Sequence, residues 1–157
     1  MKKTTLLTAL ATAALVLCAG SARAASSGNL SVTANVEGAC EFVTSAPVAF
    51  GALNPATSPD PVTAGGSVNF WCTKGASYTL TMNDGANASG TQKRMKGPGA
   101  SDYIPYAVVP ASTTGTGAGK STEVQVLMNG TVAKSAFIDA TEGAYSDTVL
   151  VTITPTP

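Results

Sequence analysis

The chain has 157 residues, nine basic and nine acidic side chains and no histidine, and only 11% of it is charged. That length fits one domain of ordinary size. The missing histidine excludes Ser-His-Asp and Cys-His catalysis and every histidine-containing metal site, and the absence of a Lys/Arg cluster excludes the phosphate-neutralising surface of a nucleic-acid binder.

Lys2 and Lys3, the apolar run Leu6 to Ala19 and the small-x-small site Ala22-Arg23-Ala24 form the layout of a secretory signal peptide, so residues 1–24 are expected to be removed. The run is too short for a permanent membrane helix. Cys18 as a lipoprotein anchor is disfavoured by Leu17 before it. Cleavage removes Lys2, Lys3 and Arg23, which leaves six basic residues against nine acidic ones. Two cysteines remain, Cys40 and Cys72. In an exported chain such a pair reads as one disulfide. It would close a loop of about 33 residues, worth roughly 3–4 kcal/mol by chain entropy.

Along the exported part, apolar and polar residues alternate in short runs broken by Gly, Pro, Asn and Asp. In "LSVTANVE" (30–37), Leu30, Val32, Ala34 and Val36 share one face, a clean period of two. "SVNFWC" (67–72) and "SYTLTMN" (77–83) read as strands, the latter closed by Asp84-Gly85. Trp71, beside Cys72, either packs over the disulfide or lies on the opposite face. "YIPYAVV" (103–109) is strand-like, with Pro105 placing it at an edge or a bulge. "EVQVLM" (123–128) and "TVAKSAFI" (131–138) flank Asn129-Gly130, a strong local hairpin signal. "SDTVLVTIT" (146–154) ends the pattern. About seven such strands predict an antiparallel β-sandwich.

"TGTGAGKST" (114–122) shares the Gly-Lys-Ser half of a phosphate-binding loop, but Thr114 stands where the first glycine belongs and a strand pattern follows where a helix is required. It reads as a flexible connection between strands. The long polar loops 54–66 and 84–102 hold no converging set of aromatic or acidic groups. Asn87-Ala88-Ser89 is formally a glycosylation sequon, of little weight beside a bacterial-looking signal. Asp139, Glu142 and Asp147 come nearest to an acidic cluster and read as solvated turn and strand-face charges. No catalytic residue, metal ligand or cofactor site is expected.

Taken in order, "GAC" ending at Cys40, "VAFGALNP" (48–55), "VNFWCTKGASYTLTMNDG" (68–85), "KRM" (93–95), "YIPYAV" (103–108) and "GAYSDTVLVTIT" (143–154) resemble the spore coat U-like domain, the pilin domain of archaic (Csu-type) chaperone–usher pili. The resemblance spans about residues 30–154. It is loose before Asp139, and Pro155 stands where the family often has an aromatic.

The resemblance implies an incomplete immunoglobulin-like antiparallel β-sandwich, completed by a donor strand from another chain. On it, residues 25–37 are the donor segment, with Leu30, Val32, Ala34 and Val36 as the inserting face, and residues 38–157 are the pilin domain. Val149, Val151 and Ile153 would wall the acceptor groove. The implied partners are a periplasmic pilus chaperone, an outer-membrane usher and neighbouring pilin subunits. The implied destination is an extracellular pilus serving adhesion or biofilm formation, as a shaft or minor subunit. Without the resemblance, residues 30–37 would equally suit an ordinary first strand. The competing reading is a self-contained exported sandwich binding a ligand such as carbohydrate through its long loops. A spore coat role is a variant of the first reading.

Overall fold

The structure, a computed structural model, describes residues 24–156; residues 1–23 of the expected signal peptide, including Cys18, lie outside them. Residues 24–39 form no strand, and nine strands follow: β1 (Cys40–Ala46), β2 (Val62–Cys72), β3 (Ser77–Met82), β4 (Arg94–Lys96), β5 (Tyr103–Pro105), β6 (Ala107–Pro110), β7 (Thr114–Thr116), β8 (Val124–Val132) and β9 (Val151–Thr156). Every pairing is antiparallel. One sheet has the order β1-β2-β8-β6, a second β7-β3-β9, and β4-β5 form a short ribbon. The chain is an antiparallel β-sandwich.

Period two selects the inner faces. β2 turns in Val68, Phe70 and Cys72, β8 turns in Val126, Met128 and Val132, and β3 turns in Tyr78 and Leu80. Val68, Phe70, Cys72, Tyr78, Leu80, Val126 and Met128 form the main core, in which the Phe70 and Tyr78 rings meet edge-on at 4.9 Å. A second cluster, Val62, Ile104, Tyr106, Val132 and Phe137, lies at the other end. The expected disulfide joins Cys40 to Cys72, which stand opposite each other at the end of the β1–β2 ladder.

Four local expectations are corrected. Asn129-Gly130 makes no hairpin: β8 runs straight through it, with Asn129 opposite Gly65 and Gly130 opposite Ala64. Tertiary packing overrides the turn signal here, because a Cβ on Gly130 would fall on Val48 Cγ1 and 2.9 Å from Phe50 Cζ. Glycine lets the 48–50 segment lie down on the strand, and only after Val132 does the chain turn, into a 3-10 helix at Lys134–Ala136.

The second correction concerns the two long loops. Residues 62–66 belong to β2, and the 84–102 stretch contains β4 and a Ser89–Gln92 bridge. Third, Thr114–Thr116 of the glycine-rich stretch form edge strand β7 on β3. No helix follows, and its glycines serve close packing: Gly115 lies against the Tyr78 ring and Gly117 against the backbone of Cys72 and Thr73. Fourth, the last strand begins at Val151 rather than 146, and "YIPYAVV" is split between β5 and β6 at Tyr106. Trp71 takes the face opposite Cys72, half-buried, with the Lys120 ammonium 5.2 Å over its ring.

Gly130→Val is expected to lower the unfolding free energy by about 1–3 kcal/mol through overpacking against Val48 and Phe50, read from the urea midpoint. Gly65→Val, on the same ladder but with open space around its Cβ, is expected to leave the midpoint unchanged or raise it.

Candidate functional site: an open groove between two edge strands

Among the described residues β1 pairs only with β2 and β9 only with β3, so each presents a free row of backbone donors and acceptors. The two edges flank one groove of about 920 Å³. Gly38, just before β1, lies against Pro155 of β9, whereas Phe50 and Val149 share the second cluster. The two edges therefore run antiparallel, from a Cys40 end to a Phe50 end.

The side chains of β1 show what is lacking. Residues directly opposite each other on antiparallel strands share a face, and Phe42 stands opposite Phe70, which is fully buried. Phe42 thus points to the core side and is still 48% exposed. A bulge at Val43 shifts the alternation by one residue. Ser45, opposite Val68, is then the next inward residue. Cys40, Phe42 and Ser45 form one wall, Val151 and Ile153 the other, and Val68, Met82, Val108 and Met128 lie between them. Of the floor, Val68 and Met128 are buried and Met82 and Val108 half-buried, so it is the wall residue Phe42 above all that stands open.

The three wall residues read from the sequence, Val149, Val151 and Ile153, all line this groove and are half-buried. Val149 does so from the irregular segment before β9. The residues of the expected inserting face lie in irregular chain and are exposed, Leu30 by 88%, Val32 by 85% and Val36 by 80%, and Ala34 is exposed as well. The wall on β1 escaped the sequence reading, because the bulge breaks the period of two in "EFVTSA". An aromatic two residues after Cys40 was the available signal.

At the Phe50 end the groove lining turns polar, with Tyr106, Tyr145, Ser146, Asp147 and Thr148. Asp147 Oδ2 accepts a 2.7 Å bond from the Tyr106 hydroxyl, and Oδ1 accepts from the Asn87 backbone N–H at 3.1 Å and from its side-chain amide at 3.0 Å. Asp147 thereby ties the 84–102 region to the last segment, and the sequon asparagine is engaged in the same bonds. Asp139 and Glu142 are exposed. Burial first, then the hydrogen bond to Asp147 and its negative charge, push the Tyr106 hydroxyl well above the ordinary tyrosine range. Among the described residues there is no group of three or more Cys, Asp or Glu arranged to hold a metal ion.

The model of the Spore Coat Protein U domain matches residues 26–152. The chain belongs to this family. No curated protein matches it. Among solved structures, a chain of the CsuC–CsuE chaperone–tip adhesion subunit pre-assembly complex, from the archaic chaperone-usher Csu pili of Acinetobacter baumannii, is similar at a TM-score of 0.48 and 20% identity. The match covers 75% of this chain and 40% of that one, so this chain spans about two fifths of the other's length.

A tyrosine held protonated in the fold ionises only after unfolding. Its contribution is complete below about pH 10, the unfolded value, and declines above it. The denaturant midpoint is expected to fall as pH rises from about 10, and less steeply in Tyr106→Phe; equal slopes would show that Tyr106 is not held protonated.

Proposed function

We propose that this chain is a structural subunit of an extracellular pilus assembled by a chaperone–usher pathway, and that its groove receives a strand from another chain. The observation that carries this reading is Phe42, a core-facing aromatic left half exposed between two unpaired, antiparallel strand edges. An added strand would satisfy both edges with main-chain bonds and cover the apolar floor with alternate side chains. Family membership and the pilus origin of the similar structure support the same reading. Such a subunit transits the periplasm with a chaperone covering the groove and meets the outer-membrane usher before export. Its work is mechanical, in adhesion or biofilm formation, and needs no catalytic group.

The donor is the 25–37 segment of a second copy or a related subunit. Leu30, Val32, Ala34 and Val36 fill the groove between Phe42 and Ser45 on one side and Val149, Val151 and Ile153 on the other. Burying Leu30, Val32 and Val36 supplies about 1.5–3 kcal/mol each. Only Glu37, Gly38 and Ala39 separate this face from β1. The segment leaves its own sandwich at the Cys40 end, so a donor whose own body lies beyond the Phe50 end builds a head-to-tail contact that does not close on itself. Such contacts generate open filaments.

The test moves residues 25–37 to the C-terminus through a flexible linker and compares size and thermal unfolding with the unrearranged exported chain. The rearranged chain is expected to be a monomer with a much higher Tm, and the native order unstable or polymeric. Leu30→Asp or Val32→Asp should abolish the gain. A monomeric native chain with a sharp transition, together with a less stable rearranged one, would sink the proposal.

A further inference from the structure

The groove raises a problem that its own chain must solve. The 30–36 segment is joined to β1 by three residues, so the nearest groove to any such segment is the one in its own molecule. Folding back needs only a hairpin at 37–39, a loop length that antiparallel strands commonly use, and Gly38 stands at its centre. At a tether this short, intramolecular insertion competes at an effective concentration in the millimolar range. A groove filled in this way could neither accept nor donate.

The structure holds 37–39 against such a turn. The Thr73 backbone N–H donates to Ala39 O at 2.8 Å, which extends the β1–β2 ladder one step beyond the disulfide. The Thr73 side chain then carries the hold further. Its Oγ1 accepts the Ala39 N–H at 3.0 Å and lies 3.2 Å from Glu37 O, to which its hydroxyl donates. Gly38 lies against Ala76, where a Cβ would be tight at 3.3 Å, and within ordinary contact of Pro155 at 3.8 Å. Residues 37–39 are thus kept beside the end of β2, in line with β1. A hairpin would require Ala39 N–H and Glu37 O to give up their Thr73 partners and the chain to reverse.

We propose that Thr73 is a positioning residue that keeps the N-terminal segment out of its own groove and so leaves that segment available to a second copy. The proposal rests on the reading of the groove as a strand acceptor. It gives a role to a side chain that neither lines the groove nor belongs to the donor. One hydroxyl suffices because it serves both sides of Gly38, accepting from one residue and donating to the other. A valine at this position keeps the shape and loses both bonds.

The experiment uses the exported chain, residues 25–157, with a fluorescein-labelled peptide of residues 28–37, and compares the native protein with Thr73→Val and Thr73→Ser. Capture of the peptide is read by fluorescence anisotropy at dilute protein. Hydrogen exchange of the 30–36 amides is measured on the same samples. The native chain and Thr73→Ser are expected to capture peptide and to exchange the 30–36 amides freely. Thr73→Val is expected to capture it at least about five-fold less, the population shift that losing two net hydrogen bonds produces, while the 30–36 amides of its monomer become protected.

Equal capture and equally free exchange in Thr73→Val would overturn the latch and leave the acceptor groove standing. No capture by the native chain, with unprotected 30–36 amides, would instead overturn the acceptor reading itself. Far-UV circular dichroism of Thr73→Val separates self-filling from misfolding. A chain that loses its strand signal and also fails to protect 30–36 counts against the latch, because Thr73 would then be holding the fold rather than the segment.

Discussion

Two facing strand edges, each hydrogen-bonded on one side only, set the terms for the rest of this molecule. A sandwich ordinarily closes its core by running its last strand along the first. Here β1 and β9 stand at the borders of different sheets with apolar floor between them, and no described strand lies in the gap. Phe42 measures the result: its partner Phe70 is sealed while it is not. The compact part of the fold, built on β2, β3 and β8, holds the two borders in place without covering what lies between them.

The sequence revealed the antiparallel all-β class and parts of the central strands, residues 67–72 of β2, β3, and 124–128 of β8, because period two is visible there without a partner. The disulfide was legible from compartment and count. What stayed hidden had physical causes. β1 is the short, bulged border of a sheet, and the bulge at Val43 destroys the alternation by which a strand is recognised. Asn129-Gly130 is turn chemistry in isolation, and only the approach of Val48 and Phe50, remote in sequence, makes the glycine a packing residue instead. β4, β5 and β7 have three residues each and owe their existence to neighbours rather than to their own pattern.

Of the groove, one wall could be read in advance. Val149, Val151 and Ile153 were implied by the family resemblance, whereas Phe42, Ser45, Met82 and Met128 come together from separate strands and share no local signature. The polar spot at the Phe50 end was equally invisible. In sequence Asp147 reads with Asp139 and Glu142 as a solvated charge, and its partners Tyr106 and Asn87 lie 41 and 60 positions away.

The disulfide gives the two borders unequal freedom. β1 is fixed to β2 by a covalent link at its Cys40 end as well as by its ladder, while β9 is held to β3 by hydrogen bonds and side-chain packing. A guest with a bulkier or slimmer row of side chains would therefore be accommodated mainly by movement on the β9 side. Any widening of the groove is expected to come more from the β9 margin than from the margin that the disulfide ties down.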